Sequence, residues 1–294
     1  MKIAIIANCQ AGPLSQALIL SSPDIEKISF IQVHLINSPI MKGIVANFKN
    51  FIKNEADIIL TFPLSDRFSE FSTNILKKEL NNVYTITNIH FTGIFPDVTY
   101  LGTMGNRIKS PIGDYHSRII LDSFLKNLSV KECINRFNYN EYKNLGFFDV
   151  WDISVSRLKN KEVDFNFATK FLDMIKSNLS LFTINHPTNV VFIEYAKFLC
   201  DCLYLDKINI SPQHLVNQLS NGAWWPIYPE IASYHNLLYE TPFKFKKRVS
   251  NFDNLLEGGL YLSLEEFVEE SYILYSKNSH KIKEELKGKS LFSW

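Results

Sequence analysis

Ile3-Ala4-Ile5-Ile6-Ala7, Asn8-Cys9-Gln10-Ala11-Gly12-Pro13 and Leu14-Ser15-Gln16-Ala17-Leu18-Ile19-Leu20 follow one another at the start of the chain. The first five residues are apolar and rich in β-branched side chains, as in a strand buried on both faces of a parallel sheet. The third group carries helical apolar spacing. Between them lies a polar turn. Gly12 suits a helix N-cap and Pro13 the first helical position, where a missing N–H costs nothing. Strand, turn and helix in that order place Cys9 at the carboxyl end of a central strand, facing a helix N-terminus. Ligands of open α/β sheets bind at that edge. The unpaired amides and positive dipole end of the helix favour an anion there, whether thiolate, phosphate or oxyanion. A lone cysteine at a strand end also serves simply as a small buried hydrophobe. The turn lacks the glycine fingerprints of nucleotide-binding loops, G-x-G-x-x-G and G-x-x-x-x-G-K-[ST].

Working outward, the next strands read as Ile28–Leu35, Ala56–Phe62 and Val83–Thr87, with helical spacing over Ile44–Lys53 and Phe68–Leu80 between them. This βαβαβαβ rhythm predicts a doubly wound, mostly parallel sheet with right-handed crossovers. Three of its loops share one edge: Asn8-Cys9-Gln10, Ser65-Asp66-Arg67 and Asn88-Ile89-His90. Phe91–Gly113 is a long loop region punctuated by Gly93, Pro96, Gly102, Gly105, Pro111 and Gly113, and loops of that length in a compact domain are commonly functional. The remainder reads mainly as helices, over 115–128, 130–137, 150–160, 165–177, 190–203, 212–219 and 265–286. The expectation is one α/β domain spanning 1–294, with a sheet portion at 1–113 and a mainly helical portion at 114–294 packed on it.

Composition narrows the partners. The chain has 294 residues, 46% hydrophobic and 14% aromatic, and Lys+Arg 31 against Asp+Glu 30 leaves a net charge of +1. That balance provides no field for nucleic acid or an acidic membrane surface. Cys9, Cys133, Cys200 and Cys202 form neither a disulfide framework nor a zinc spacing, so no metal is expected. Met1-Lys2 leads straight into a strand-length run, too short for a signal-peptide core. No run of 18 apolar residues offers a membrane span. These features predict a cytoplasmic protein.

A cysteine nucleophile needs a base or an ion-pair partner, and histidine is the usual one. Three of the seven histidines stand in polar loops or helix starts: His90, His116 and His186. His186 lies in Thr183-Ile184-Asn185-His186-Pro187-Thr188-Asn189, where Pro187 stops regular structure and Thr188 or Asn189 can cap the following helix. Asp114 in Asp114-Tyr115-His116 is a natural N-cap, with His116 in the first turn. Arg67 is suited to fork onto a phosphate, or to pair with Asp66. Lys244, Lys246, Lys247 and Arg248 form the densest basic cluster, interleaved with Phe243 and Phe245. Trp224-Trp225-Pro226-Ile227-Tyr228-Pro229 reads as a core plug or as an aromatic platform.

Asn8-Cys9-Gln10 after an N-terminal strand, followed by a small residue, Pro13 and Leu14, resembles the signature of the WcbI-type capsular polysaccharide biosynthesis proteins. Pro63-Leu64-Ser65-Asp66-Arg67-Phe68, Asp114-Tyr115-His116 and Asn185-His186-Pro187-Thr188-Asn189 are similar to later stretches of that family, in the same order; the family usually has Gly where this chain has Ala7. The resemblance implies an acetyltransferase that binds coenzyme A and acts on a sugar hydroxyl, within or beside a capsule assembly complex. Cys9, His186, His116 and Asp114 are then the candidate catalytic residues. Asn8, Gln10, Ser65, Arg67, Asn185 and Lys244 are the candidates for holding coenzyme A. Two alternatives stand beside it. One is an SGNH-like esterase with Cys for Ser, against which Thr183 stands where an Asp three residues before the histidine is expected. The other is a non-catalytic ligand-binding or scaffold protein of polysaccharide assembly.

Overall fold

The computed structural model describes residues 1–103, 105–247 and 261–294. In chain order its first elements are β1 (Lys2–Ala7), α1 (Ala11–Ser21), β2 (Lys27–Gln32), α2 (Lys42–Asn54), β3 (Ile58–Thr61), α3 (Thr73–Glu79) and β4 (Val83–Thr85). Four two-residue strands follow: β5 (Val98–Thr99), β6 (Gly102–Thr103), β7 (Asn106–Arg107) and β8 (His116–Ser117). Next come α4 (Arg118–Leu125), α5 (Val130–Asn135), α6 (Tyr139–Asn144), α7 (Val150–Lys159), α8 (Ala168–Ser177) and α9 (Asn189–Cys202). The last helices are α10 (Pro229–Tyr234), α11 (Leu264–Lys277) and α12 (Ser279–Glu285). Backbone contacts divide the chain into two compact units. One holds Met1–His90, Leu158–Met174 and His186–Leu219; the other holds Phe91–Arg157, Ile175–Asn185 and Ser220–Trp294.

The first unit is the doubly wound part. Its sheet runs β2-β1-β3-β4, every neighbouring pair parallel. From β1 to β2 the chain steps one way; from β2 it passes back across β1 to β3 and continues to β4. The right-handed rule for parallel crossovers therefore puts α1 on one face and α2 and α3 on the other. The direction reverses between β1 and β3, whose carboxyl ends open the crevice where ligands of such sheets bind. Ile3 to Ala7 are fully buried, as a central strand with helices on both faces requires. Each large apolar side chain so buried contributes about 1.5–3 kcal/mol.

Two details fix the site end. Beyond β4, Ile86 bridges Phe165 in parallel and Thr85 is gripped by Asp164, whose Oδ2 accepts from the Thr85 amide at 2.7 Å and its hydroxyl at 2.8 Å. Residues 164–167 thereby line the outer side of the β4 extension. On the α1 face, α9 packs along α1 with Val191, Phe192, Tyr195, Ala196 and Leu199 buried. The two helices run in the same direction. Ser21 O, at the end of α1, accepts from Ile208 N just past α9, at 2.7 Å. At the other end, Gln16 of α1 bonds Gln218, while Asn189 at the start of α9 donates to Pro212 O and Leu215 O. The N-termini of α1 and α9 thus share one end of the unit.

In the second unit, α4, α5 and α11 pack together, and short antiparallel pairs β5–β8 and β6–β7 order the glycine-rich region. Its core is aromatic: Tyr142 stacks on Tyr228 at 5.4 Å and Phe245 on Phe267 at 4.2 Å. Trp225 is buried against both Phe245 and Phe267, which settles its stretch as core. The helix read over 212–219 is instead two short 3-10 turns, and the closing helix over 265–286 breaks at Asn278 into α11 and α12.

Candidate active site

The β1–α1 turn is organised by Asn8. Its side-chain Oδ1 accepts from the Gln10 amide at 2.9 Å and its carbonyl from the Ala11 amide at 3.1 Å. Its Nδ2 reaches Asn88 Oδ1 at 3.5 Å, and the Cys9 thiol points at Asn8 Oδ1 from 3.9 Å. Gln10 is buried and its Nε2 donates to Ile89 O at 2.7 Å. The chain leaving β4 is therefore laid across the strand ends and tied to the turn at two points. Tyr195 of α9 adds a third tie to that segment, its hydroxyl donating to Thr87 O at 2.7 Å.

These bonds correct the expected geometry of the turn. Helix α1 begins at Ala11 with Gln10 as N-cap in helical conformation, so Gly12 is not the cap and Pro13 is the third helical residue rather than the first. Asn8 provides an Asx turn in place of a glycine cap. The amides of Gln10 and Ala11 are committed to Asn8, and Pro13 has none. The turn offers an anion fewer donors than its sequence suggests.

The thiol also differs from expectation. Burial pushes Cys9 up from 9.0 to about 11, offset only in part by its own backbone amide. The favourable helix end does not overcome the loss of solvent, and at neutral pH the group is a protonated thiol. Cys133, Cys200 and Cys202 are raised by burial too, Cys200 also to about 11. Acidity does not single Cys9 out among the four. Its position does.

The loop after β3 forms the other side of the β1/β3 opening. Leu64 and Thr73 clasp it reciprocally, Leu64 N donating to Thr73 Oγ1 at 2.9 Å and Thr73 N to Leu64 O at 3.0 Å. Ser65 and Arg67 are exposed on it, and the Arg67 guanidinium rests 4.8 Å over the Phe68 ring rather than on Asp66. His186 is half-buried, two residues before Thr188, the N-cap of α9. Because α1 and α9 start at one end of the unit, Cys9 and His186 both lie just upstream of those starts at that end. His90 is exposed.

The second unit holds the remaining candidates, and Asp114-Tyr115-His116 turns out to be a three-way tie. Asp114 pairs with Lys109 at 2.5 Å and Arg107 at 3.8 Å. Tyr115 donates its hydroxyl to Asn185 Oδ1 at 2.8 Å. His116 is fully buried, with Nδ1 2.9 Å from the Tyr275 hydroxyl and Nε2 2.9 Å from Ile108 O, and burial lowers it to about 4. Asp114 does not cap the following helix; Ser117 does, accepting from Ile120 N at 3.0 Å. His116 lies in β8 and faces no cleft. Lys244 is exposed, while Lys246 is buried over Trp224 with Nζ bonded to Ser220 O, and Lys247 pairs with Glu270 at 2.9 Å. Phe245 is core, so of this basic stretch Lys244 alone is exposed among the described residues; Arg248 lies outside them.

Asn88 is the residue the sequence reading passed over. Its signal was its place in a polar loop at the same sheet edge. Among the described residues no cluster of His, Cys, Asp and Glu fit to hold a metal occurs, and no helix is long and apolar enough to cross a membrane.

A cysteine turn at the switch point of a doubly wound parallel sheet defines an α/β protein with its ligand edge at the carboxyl ends of β1 and β3. The chain belongs to the WcbI family: residues 2–207 match the model of the polysaccharide biosynthesis enzyme WcbI. Among curated proteins none matches it in sequence. A solved structure of WcbI, described as a novel polysaccharide biosynthesis enzyme in native form without a disulfide bond between coenzyme A and a cysteine, shares the fold. It superposes with a TM-score of 0.62 at 17% identity, covering 97% of this chain and 98% of that one.

Proposed function

We propose that this polysaccharide biosynthesis enzyme is a coenzyme A-binding O-acetyltransferase that acts on a sugar hydroxyl in capsule assembly, in the cytoplasm. The observation that carries the reading is the Cys9 turn, held by Asn8, Asn88 and Gln10 at the crevice between β1 and β3. The related WcbI structure is described as lacking a disulfide bond between coenzyme A and a cysteine, which speaks of coenzyme A in connection with a cysteine of that protein, and Cys9 is this chain's thiol at a strand-end turn. The donor set fits a thioester: a protonated thiol beside a helix start, with an exposed arginine and serine on the neighbouring loop.

When bound, acetyl-coenzyme A supplies an activated acyl group. Asn8 and Gln10 keep the turn rigid, and Cys9 lines the pocket for the sulfur. Arg67 and Ser65 are the proposed phosphate contacts. His186 takes the proton from the acceptor hydroxyl as the new C–O bond forms and the acyl C–S bond breaks, then passes it to the departing sulfur. Asn185 sets the backbone that carries His186. Direct transfer is favoured over a covalent Cys9 intermediate because burial keeps the thiol protonated. Asp114 and His116 act here by holding the fold around Tyr115, not by touching substrate.

The test is His186→Ala assayed for acetyl transfer from labelled acetyl-coenzyme A to a capsule-sugar acceptor. A loss of about 10²–10⁴-fold with unchanged far-UV signal and melting temperature supports the assignment. Retained activity in the folded variant removes it.

A further inference from the structure

In the second unit, α10 and the start of α6 frame a cavity of about 440 Å³, lined by Tyr139, Pro229, Glu230, Ser233 and Tyr234. That volume lies within the range of small-molecule sites, about 300–1,000 Å³. Two large rings stand in solvent here: Tyr139 is 46% exposed and Tyr234 52%. Neither is loose. Phe148, itself buried, stacks on Tyr234 at 4.2 Å and 24°, and packs on Tyr139 at 5.1 Å and 37°. One core ring thus fixes both tyrosines and leaves their outer surfaces in water.

Spacing along α10 puts polar groups beside these rings. Glu230 and Tyr234 are four residues apart, as are Pro229 and Ser233, so each pair shares a helix face. Among the described residues neither the Glu230 carboxylate nor the Ser233 hydroxyl makes a hydrogen bond. Two rigid aromatic surfaces flanking an available carboxylate and hydroxyl match one ligand chemistry closely. A pyranose ring presents a flat patch of C–H groups, which the negative face of an aromatic ring attracts, and a rim of hydroxyls, which a carboxylate accepts from. Tyrosines already packed against a buried ring bind such a patch at little entropic cost.

We propose that this cavity of the second unit is a carbohydrate subsite that takes a pyranose unit of a glycan. The assignment stands on the cavity's own side chains and does not depend on the acetyl-transfer reading. The experiment is saturation-transfer-difference NMR on the full chain with three probes: methyl α-glucopyranoside, methyl α-mannopyranoside and methyl α-galactopyranoside. At least one is expected to show saturation of its ring protons. That signal should fall at least threefold in the Tyr139→Ser/Tyr234→Ser double variant, and also in Glu230→Gln, which preserves size. Melting temperature and any response to coenzyme A should be those of the parent protein, which separates failure here from failure of the acetyl-transfer reading. The proposal is overturned if no probe is saturated, or if both variants keep the signal. It is equally overturned if the parent self-associates through this face and the double variant does not, since the occupant is then a second copy.

Discussion

The alkylation rate of Cys9 against pH follows from its burial. Only thiolate reacts, so the rate below the pKa rises tenfold per pH unit. A thiol at 9.0 is about 3% ionised at pH 7.5; one at about 11 is about 0.03% ionised, a deficit of about 100-fold. Nucleophilicity rises with basicity, with a slope of about 0.4–0.5, and returns about eightfold over two units. Iodoacetamide should therefore modify Cys9 about tenfold more slowly than an unhindered model thiol, before any loss from access. The assay is peptide mass spectrometry on native protein sampled from pH 7 to 9.5. Log rate for Cys9 should climb with unit slope throughout, where the model thiol bends toward a plateau near pH 9. A Cys9 rate that levels off below pH 8.5 would refute the burial argument and restore a helix-stabilised thiolate.

Other consequences follow from the buried polar groups. His116 is lowered to about 4, so the folded protein resists a proton that the unfolded chain accepts near 6.5. Its contribution is complete above pH 6.5 and is lost as pH falls toward 4, by up to about 3 kcal/mol. Urea melts at pH 7 and pH 4.5 should show this fall, and His116→Gln should flatten it; an unchanged slope in the variant contradicts the assignment. Tyr228→Phe removes the hydroxyl that donates to the fully buried Asp97 at 2.7 Å, which should cost about 1–3 kcal/mol. Calorimetry should register that as a drop of several degrees, and an unchanged melting temperature would show that the carboxylate finds another donor.

The sheet was legible because β1, β3 and β4 are short apolar runs separated by helical periodicity, and this signal survives without tertiary help. Its loops were legible for the same reason, since strand ends locate them. The start of α1 was misread by two positions because glycine and proline suggested a cap, while the actual N-terminus is set by the Asn8 side chain folding back on Gln10. Strands β5 to β8 have two residues each, too few to show alternation, so 91–113 read as loop and β8 as the start of a helix. His116 read as a catalytic candidate in the first turn of a helix because nothing local reveals that Tyr275, far along the chain, meets its ring. The raised thiol was equally invisible: residue types suggest helix dipole and polar company, but desolvation depends on what packs above the turn. Helices α6 and α10 carried their signals, Asn138 as N-cap and Pro229 at the first turn, yet six residues are too few for periodicity.

The central claim is that the Cys9 edge binds coenzyme A, and a thermal-shift titration tests it most directly. A ligand that binds only folded protein adds about 2.7 kcal/mol at 100 times its dissociation constant. For a chain of this length that is a rise of about 5 °C. Coenzyme A and acetyl-coenzyme A should both produce it, less in Arg67→Ala, while NAD and S-adenosylmethionine should not. No shift with millimolar coenzyme A, or a shift with nucleotide sugars alone, would contradict the account.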